Sequence, residues 1–269
     1  MPIASFSKVH QELKLDFEET AAVTAEAGLD GIDCPVRPAG QILPERAAED
    51  MPRMAEALKR HKLKLLLLTT AITSPATPHA ETVLRTAAKL GVKYYRLNWW
   101  HYKAAPSREQ LFREIKAQLK DLAAMNKQLG VCAIYQNHSG GDYVGAKVND
   151  LMEIVGEFDP RQIGIAFDIG HALIEIPDTW RSEFEKLKSH FKVAYVKDAR
   201  RHGKSCAFGQ GDIATTDYFK LLKSWHYHAP ISMHTEYDYA GQGNPKTRAG
   251  LVEAMRRDLA VLKGWLQST

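Results

Sequence analysis

The feature that most constrains this chain is an alternation that runs from one end of the sequence to the other. A short apolar, β-branched or aromatic run is followed each time by a longer segment with helical spacing, the pattern of a strand and then a helix. The alternation repeats eight times, at intervals of about 25 to 38 residues that suit one strand–helix unit each. Strands that alternate with helices predict an α/β fold built on a parallel sheet. The predicted strands are Ile3–Ser7, Gly31–Val36, Leu63–Thr70, Tyr94–Asn98, Val131–Asn137, Ile163–Asp168, Val193–Lys197 and Ile231–Tyr237.

The predicted helices are marked by residues that favour helix ends. Asp16 is a suitable N-cap for a helix that ends at Gly28, and Ser107 opens an amphipathic segment that stops at Gly130. Gly91 ends the helix before the fourth strand in the same way. This order of helix, glycine and strand recurs along the chain, as expected for the helix-to-strand loops of a barrel.

Length and composition suit one large domain. The chain has 269 residues, of which 45% are apolar, and about 250 residues is the usual size of one (β/α)8 barrel. Apolar runs such as Leu65–Leu68 indicate strands that are covered on both faces, as in parallel sheets. No Gly/Ser-rich linker divides the chain. We therefore predict a single-domain (β/α)8 TIM barrel over residues 1–269. The alternative is a doubly wound open sheet, although the first strand lacks a glycine-rich phosphate loop.

Charge and cysteine content disfavour several classes of protein. The net charge of +4 is spread along the chain, with no basic block of the kind that marks a nucleic-acid partner. The densest basic stretch, 197–204, is either a solvated loop or a site for phosphate or carboxylate. The cysteines Cys34, Cys132 and Cys206 are odd in number and widely spaced, which predicts reduced thiols, the first two of them in strands.

The N-terminus and the apolar runs bear on where the protein works. No basic segment followed by an apolar run begins the sequence, so we expect no signal peptide. The longest apolar stretch, around Leu65–Leu68, is too short to span a bilayer. We therefore expect a cytoplasmic protein whose partner is neither a membrane nor a nucleic acid.

Polar and charged side chains gather where the predicted strands end. Residues at the carboxyl ends of the strands line the active site of a (β/α)8 barrel, and buried carboxylates or imidazoles are costly unless they are paired or bind metal. Their accumulation at the later strand ends is therefore hard to explain by core packing. The polar runs are 33–37, 96–101, 135–138, 168–171, 195–198 and 234–237.

Several of these motifs together resemble the xylose-isomerase-like TIM-barrel superfamily, and the resemblance covers essentially the whole chain. The motifs are Asp168-x-x-His171, the pair Lys197-Asp198, the run 209–213 and Glu236. The runs 36–38, 135–140 and 168–172 are similar to a narrower group called sugar phosphate isomerase/epimerase proteins. The superfamily includes sugar epimerases, hydroxypyruvate isomerase, inosose dehydratase and type-IV endonucleases. The resemblance implies the same barrel and an enzyme of this kind.

The resemblance also implies a metal site. Typical members hold a divalent ion with Glu, Asp, His and Glu after strands five to eight, and these positions are Gln136, Asp168, Tyr195 and Glu236 here. Gln136 keeps an oxygen but loses a charge, and a tyrosine with a pKa of about 10 is a poor ligand at neutral pH. We predict Gln136, Asp168 and Glu236 as ligands of Mn²⁺ or Mg²⁺, which prefer oxygen donors. His138 is a candidate additional ligand, and weak or absent metal binding is the alternative.

The implied chemistry is proton transfer next to a carbonyl group. An isomerase or epimerase removes a carbon-bound proton from a sugar, and positive charge stabilises the enediolate that forms. The predicted catalytic residues are Glu236, Lys197 and His171. The predicted substrate-binding residues are Arg37, Asn98, Trp100, His138 and Arg200, with Trp99 as a further candidate for stacking on a sugar.

Three functions remain open from the sequence. The first is a metal-assisted isomerase or epimerase of a sugar-like ketose or polyol, although Gln136 cannot accept a proton, which disfavours a symmetric mechanism with two glutamates. The second is a lyase or dehydratase of keto-sugars, which needs only one base. The third is a non-catalytic carbohydrate-binding barrel. All three imply a small-molecule carbohydrate ligand. The sequence leaves the oligomeric state open between a monomer and a homo-oligomer, and dimers and tetramers are common in the family it resembles. Endonuclease activity is disfavoured because it needs a histidine-rich cluster of several metal ions.

Overall fold

The computed structural model describes residues 1–241 and 243–268, and in them eight parallel strands close into a barrel. The strands are β1 (Ile3–Phe6), β2 (Gly31–Val36), β3 (Lys64–Thr70), β4 (Tyr94–Arg96), β5 (Cys132–Gln136), β6 (Ile163–Asp168), β7 (Phe191–Val196) and β8 (Ile231–Met233). Each strand pairs with its neighbours in chain order, and β1 closes the barrel by pairing with β8. The predicted (β/α)8 TIM barrel is therefore confirmed.

Helices alternate with these strands. They are α1 (Lys8–Glu12), α2 (Phe17–Ala27), α3 (Ala47–Arg60), α4 (Ala80–Lys89), α5 (Arg108–Leu129), α6 (Asn149–Val155), α7 (Ile169–Glu175), α8 (Trp180–Lys186), α9 (Tyr218–Ser224) and α10 (Arg248–Gln267). Short 3₁₀ turns lie at Pro44–Arg46, Tyr102–Ala104 and Ile213–Thr215. Among the described residues, no helix is both long and apolar enough to cross a membrane. The cytoplasmic location stays a prediction.

The helix ends that the sequence marked are found where they were expected. The Asp16 carboxylate accepts the Glu19 N–H at 2.8 Å as the N-cap of α2, and Ser107 accepts the Gln110 N–H at 3.2 Å at the start of α5. α5 ends at Gly130, which has a φ of 71°, a left-handed conformation that costs a glycine little.

Several strands end earlier than the sequence predicted, and at β5 a side chain takes over the pairing of the backbone. β5 was expected to include Asn137, but it ends at Gln136. The Asn137 amide instead donates to the Asp168 carbonyl at 3.0 Å and accepts the Asp168 N–H at 2.7 Å. β7 also stops before Lys197, and β8 stops at Met233. The chain is therefore free to turn its polar side chains toward the mouth of the barrel.

The apolar core has two parts. A large cluster packs the helices against the outer faces of the strands. A smaller cluster comprises Leu67, Cys132, Ile134, Ala166, Val193 and Tyr195 of strands β3 and β5 to β7. The three thiols are free, and Cys34 and Cys132 are buried in strands as predicted.

Candidate active site

A polar cavity of about 300 Å³ lies among the carboxyl ends of the strands. Its walls come from the ends of β1 to β8 and from the loops that follow them, the position of active sites in barrels of this kind. The lining residues are Phe6, Lys8, Arg37, Thr69, Arg96, Trp99, Gln136, His138, His171, Lys197, Ser205, His234 and Glu236.

Lys197 lies at the centre of one side of this cavity. Its Nζ is 2.6 Å from His171 Nε2, 3.4 Å from Asp168 Oδ2 and 3.8 Å from Glu236 Oε2. The Lys197 side chain is 7% exposed. An ammonium buried this deeply requires charge and hydrogen-bond partners, and it has both. Asp168, His171, Lys197 and Glu236 are called the paired side below.

Gly170 makes room for the lysine. A Cβ atom at position 170 would lie 2.3 Å from the Lys197 carbonyl oxygen and 2.6 Å from Lys197 Cγ. Both distances are shorter than a carbon atom tolerates. The glycine in the Asp168-x-x-His171 motif therefore lets the lysine stem pass over the start of α7, so that the position of the ammonium is built into the fold.

Asp168 ends β6 and holds the paired side together. Its Oδ1 caps α7 by accepting the His171 N–H at 3.0 Å, and its Oδ2 accepts a hydrogen bond from Gln136 Nε2 at 2.9 Å. Burial is the largest single influence on Asp168 and raises its pKa, but Lys197, His171, His234 and the His171 backbone N–H together outweigh it, so that the pKa lies below its ordinary value. Asp168 is therefore an ionised carboxylate beneath the cavity wall.

Glu236 is held by a chain of hydrogen bonds across the barrel. Its Oε2 lies 3.0 Å from His234 Nδ1, and His234 Nε2 lies 3.1 Å from the Ser232 hydroxyl. Ser232 and Thr69 each donate to the buried Asp33 carboxylate at 2.9 Å. The chain fixes the orientation of the Glu236 carboxylate, which reaches the cavity from the end of β8.

The charge state of Glu236 follows from its neighbours. Burial raises its pKa, but the hydrogen bond to His234 and the positive charges of Lys197 and Lys8 bring it well below the ordinary value. The Lys8 ammonium lies 3.0 Å from Glu236 Oε1. Glu236 is therefore ionised at neutral pH and able to accept a proton.

Two histidines continue the row of polar groups. The rings of His138 and His171 lie 4.0 Å apart, and His171 Nδ1 is 2.8 Å from the Ser139 hydroxyl. Burial, with Lys197 nearby, holds the pKa of His171 well below its ordinary value, and burial also lowers the pKa of His138. Both imidazoles are neutral at pH 7, so His171 can accept a hydrogen bond from Lys197.

The opposite wall carries two guanidinium groups. Arg96, the last residue of β4, is 2% exposed, and its Nη1 donates to the Leu97 carbonyl at 2.9 Å. Its guanidinium carbon lies 3.9 Å from the centre of the Trp99 ring. Burial lowers the pKa of Arg96 to about 10, which leaves it charged at neutral pH. Arg37 lines the same cavity after β2. Arg37, Arg96 and Trp99 are called the arginine side below.

The residues present fit a divalent ion less well than the sequence suggested. Gln136, Asp168 and Glu236 do meet at the paired side, but the Lys197 ammonium lies within 4 Å of both carboxylates. The Tyr195 phenol is buried, and burial raises its pKa well above the ordinary value, so it is neutral and a poor ligand. In the part of the chain that is described, no group of three or more His, Cys, Asp or Glu side chains could hold a metal ion.

The structure brings together most of the predicted site residues, but not all. Arg37, Gln136, His138, His171, Lys197 and Glu236 line the cavity, and Asp168 lies beneath it. Three predicted substrate-binding residues do not line it. The Trp100 indole donates to Gln118 Oε1 at 3.2 Å and its ring packs on Tyr135. Arg200 is exposed, and Asn98 lies outside the lining.

Sequence reasoning did not assign Lys8, Arg96 or Thr69 to the site. Arg96 belongs to the strand-end run that was singled out, but a basic residue inside a strand pattern also suits the outer face of a sheet. Lys8 follows the first strand, and the rule that strand ends line the site would have found it. Its ion pair with Glu236 joins positions 228 apart in the chain, which no local pattern reveals.

Solved structures share this fold over nearly the whole chain. A D-psicose 3-epimerase from Clostridium cellulolyticum H10 matches with a TM-score of 0.73, 13% identity and coverage of 99% of each chain. A 3-keto-D-glucoside 4-epimerase from E. coli matches with a TM-score of 0.72, 16% identity and full coverage of both chains. An L-ribulose 3-epimerase matches with a TM-score of 0.72 and 17% identity, covering 94% of this chain and 89% of its own. At such identities the likeness shows the fold.

Sequence comparison shows the family. No curated protein matches the chain significantly in sequence. A family model described as the xylose isomerase-like TIM barrel matches residues 21–263, which is most of the chain. Together with the closed eight-stranded barrel, this match establishes that the chain belongs to the xylose isomerase-like TIM-barrel family.

Proposed function

We propose that this protein is a sugar isomerase or epimerase that moves a proton next to the carbonyl group of a ketose-like substrate. The observation that carries the proposal is the paired side: an ionised Glu236 and the Lys197 ammonium face one cavity, 3.8 Å apart. The solved structures of similar fold include enzymes that epimerise psicose, ribulose and a keto-glucoside, which supports a sugar-like carbonyl substrate.

Glu236 acts as the base in this proposal. Its carboxylate is ionised, reaches the cavity, and is fixed by His234 and Lys8. A base held in one orientation needs no reorganisation when it removes a carbon-bound proton. Once the proton is transferred, Glu236 can return it to the neighbouring carbon, while a proton passes from the substrate hydroxyl to the former carbonyl oxygen. Together these two transfers are the net change of an isomerase.

Lys197 stabilises the negative charge that develops on the substrate oxygen. A fixed and largely buried ammonium is the kind of group that stabilises an enediolate. Lys197 therefore supplies, from within the chain, the positive charge that the sequence led us to expect from Mn²⁺ or Mg²⁺. Asp168 and Gly170 do not touch the substrate in this scheme; they hold the lysine in position.

For epimerisation a second group must act on the opposite face of the substrate. His138 lines the cavity, and its ring contacts His171, which in turn contacts Lys197. It is therefore separated from Glu236 by the lysine, and its neutral imidazole can accept a proton. We propose His138 as the second base if the reaction is an epimerisation.

The close approach of Lys197 to Glu236 also favours a second candidate function, a lyase or dehydratase. A base and an acid 3.8 Å apart can remove a proton and protonate a leaving group on the same face of one substrate. Such an enzyme releases water or a smaller product, whereas an isomerase conserves the mass of the sugar.

The test is hydrogen exchange with solvent. The protein is incubated in D₂O with D-fructose, D-tagatose and their 6-phosphates, and the carbon-bound hydrogens are followed by NMR together with the product mass. We expect deuterium at the carbon next to the carbonyl, and we expect Glu236→Gln to remove it. Glu253→Gln, on an exposed part of α10, is the matched control.

The outcomes separate the candidates. Deuterium in a product of unchanged sugar mass supports the isomerase or epimerase, and a lighter or unsaturated product supports the lyase. Exchange that survives in Glu236→Gln would refute the role of Glu236. Sugar binding without exchange for any of these substrates would favour the carbohydrate-binding barrel.

A further inference from the structure

The arginine side contains cations that form no ion pair within 4 Å in the described residues. The Asp33 carboxylate attracts Arg96 from farther away, but it already accepts hydrogen bonds from Ser232 and Thr69. Arg96 is 2% exposed, yet its guanidinium makes one hydrogen bond, to the Leu97 carbonyl, and no carboxylate of the described residues lies within 4 Å of it. Arg37 lines the same cavity, and the described part of the chain offers it no ion pair either. A guanidinium has five N–H donors, so most of the donors of both side chains are unused.

Leaving these charges unpaired opposes folding. A buried cation loses hydration, and for Arg96 the distant Asp33 carboxylate offsets only part of this loss, since burial keeps the pKa of Arg96 below its ordinary value. The two guanidiniums also repel each other, and this repulsion contributes to the lowered pKa of Arg96. Such an arrangement is expected where the missing partner is a ligand and the ligand is an anion.

The local geometry orients Arg96 for such a ligand. The Trp99 ring covers one face of the guanidinium at 3.9 Å, and the Leu97 carbonyl holds Nη1. The plane of the guanidinium is thereby fixed while the group still lines the cavity. A planar guanidinium with free N–H groups binds two oxygens of a carboxylate or a phosphate at once.

We infer that Arg96 and Arg37 bind an anionic group of the substrate, a phosphate or a carboxylate. The inference rests on the proposed function, because it names the substrate class of the same cavity: a small sugar that carries a negative charge. With the anion on the arginine side, the carbonyl end of the substrate faces Lys197 and Glu236. A cavity of about 300 Å³ is at the small end for ligand sites, which suits a small substrate.

Calorimetric titration with anions alone tests the inference without requiring turnover. Inorganic phosphate and malonate are the probes, and Arg96→Met, Arg37→Met and Arg113→Met are the variants. Arg113 is an exposed arginine of α5 outside the cavity and serves as the matched control. We expect at least one probe to bind the wild type, about tenfold to hundredfold weaker binding in the Arg96 and Arg37 variants, and no change in the Arg113 variant.

The two probes distinguish the two sources of negative charge. Tighter binding of phosphate identifies a phosphorylated sugar, and tighter binding of malonate identifies a sugar acid. D-Fructose and D-fructose 6-phosphate are then compared. If phosphate binds more tightly than malonate, D-fructose 6-phosphate should bind at least about tenfold more tightly than D-fructose. For a sugar acid, 2-keto-D-gluconate should show the same advantage over D-fructose.

The inference is overturned if neither anion binds the wild type at concentrations up to about 10 mM, or if both arginine variants bind as the wild type does. Should Arg96→Met fail to fold, anion titrations of the wild type and of Arg37→Met, at a half-buried position, still test the inference. Because anion binding is measured without reaction, a protein that binds anions but exchanges no hydrogen contradicts the proposed function alone. Exchange with uncharged sugars only, without anion binding, contradicts the inference alone.

Discussion

The two sides of the cavity solve the problem of buried charge in opposite ways. On the paired side, Lys197 lies among Asp168, Glu236 and His171, and every charge has a partner of opposite sign. On the arginine side, Arg96 and Arg37 have no carboxylate within ion-pair distance in the described residues. A charge that is paired inside the protein is fixed for chemistry, whereas a charge left unpaired is free to bind a ligand.

This contrast also bears on the metal site that the sequence led us to expect at Gln136, Asp168 and Glu236. The Lys197 ammonium occupies the space between two carboxylates, and a divalent ion placed there would be repelled by it. Lys197 provides the positive charge on the paired side, and Arg37 and Arg96 provide further positive charge on the opposite wall. A cavity with this balance favours an anionic substrate over an added cation.

The largest expected effect is a difference in stability between a variant on the paired side and a variant on the arginine side. Asp168→Ala removes the carboxylate that pairs with Lys197 and caps α7, so it leaves a buried ammonium without its partner. We expect it to lower the free energy of unfolding by about 3–5 kcal/mol. Arg96→Met removes a cation that has no carboxylate within 4 Å in the described residues, and the buried Asp33 keeps its hydrogen bonds to Ser232 and Thr69. We therefore expect a change within about 1 kcal/mol. Urea denaturation of both variants measures the difference. Equal losses would show that the two sides do not differ in this way.

A slightly smaller effect is expected on turnover and on Mn²⁺ binding when Lys197 is replaced. Lys197→Met removes the ammonium but keeps the length of the side chain, and we expect turnover to fall about 100-fold to 1,000-fold. The same variant leaves two carboxylates and the Gln136 oxygen together, so we expect it to bind Mn²⁺ weakly and the wild type to bind it less well or not at all. Titration with Mn²⁺, followed by electron paramagnetic resonance, measures this gain.

The exposed Lys204 provides the control for that experiment, since Lys204→Met removes the same charge outside the cavity. Tight binding of one Mn²⁺ by the wild type, lost in Asp168→Asn, would overturn the view that the lysine replaces the metal. It would restore Gln136, Asp168 and Glu236 as ligands.

The smallest effect for one group and one pH unit is expected in the pH dependence of stability. His171 on the paired side and His10 in α1 both have pKa values lowered by burial, His10 to about 3. A histidine whose pKa is lower in the folded state stabilises the fold above its unfolded pKa of about 6.5, and this contribution is lost as the pH falls. Arg96, whose pKa is about 10, does not titrate in this range.

We therefore expect the free energy of unfolding to be constant above about pH 7 and to fall below about pH 6.5, by about 1.4 kcal/mol per pH unit for each such histidine. Both nitrogens of His10 lack a hydrogen-bond partner among the described residues. His10→Leu removes one group that takes up a proton on unfolding, so it should reduce the slope by about 1.4 kcal/mol per pH unit. Denaturation profiles between pH 4.5 and 7.5 measure the slope, and a flat profile would contradict the assignment.

The sequence by itself determined the fold and much of the paired side. The alternation of strand and helix, the caps at Asp16 and Ser107 and the glycine at Gly130 are local signals, and local signals are readable because they act over a few residues. Asp168, His171, Lys197 and Glu236 were identified because each follows a strand, and the ends of parallel strands meet in a barrel.

Only the tertiary structure decided how these groups are paired. Lys8 reaches Glu236 across the closure between β1 and β8, and Gly170 clears the path for Lys197 from the next strand. Whether Trp99 or Trp100 faces the cavity depends on the turn of the chain after β4, which leaves Trp100 packed on Tyr135. Whether a charge is paired or free depends on the distance in space between residues that are far apart in the chain. Such distances are set by the tertiary fold, and no local sequence pattern shows them.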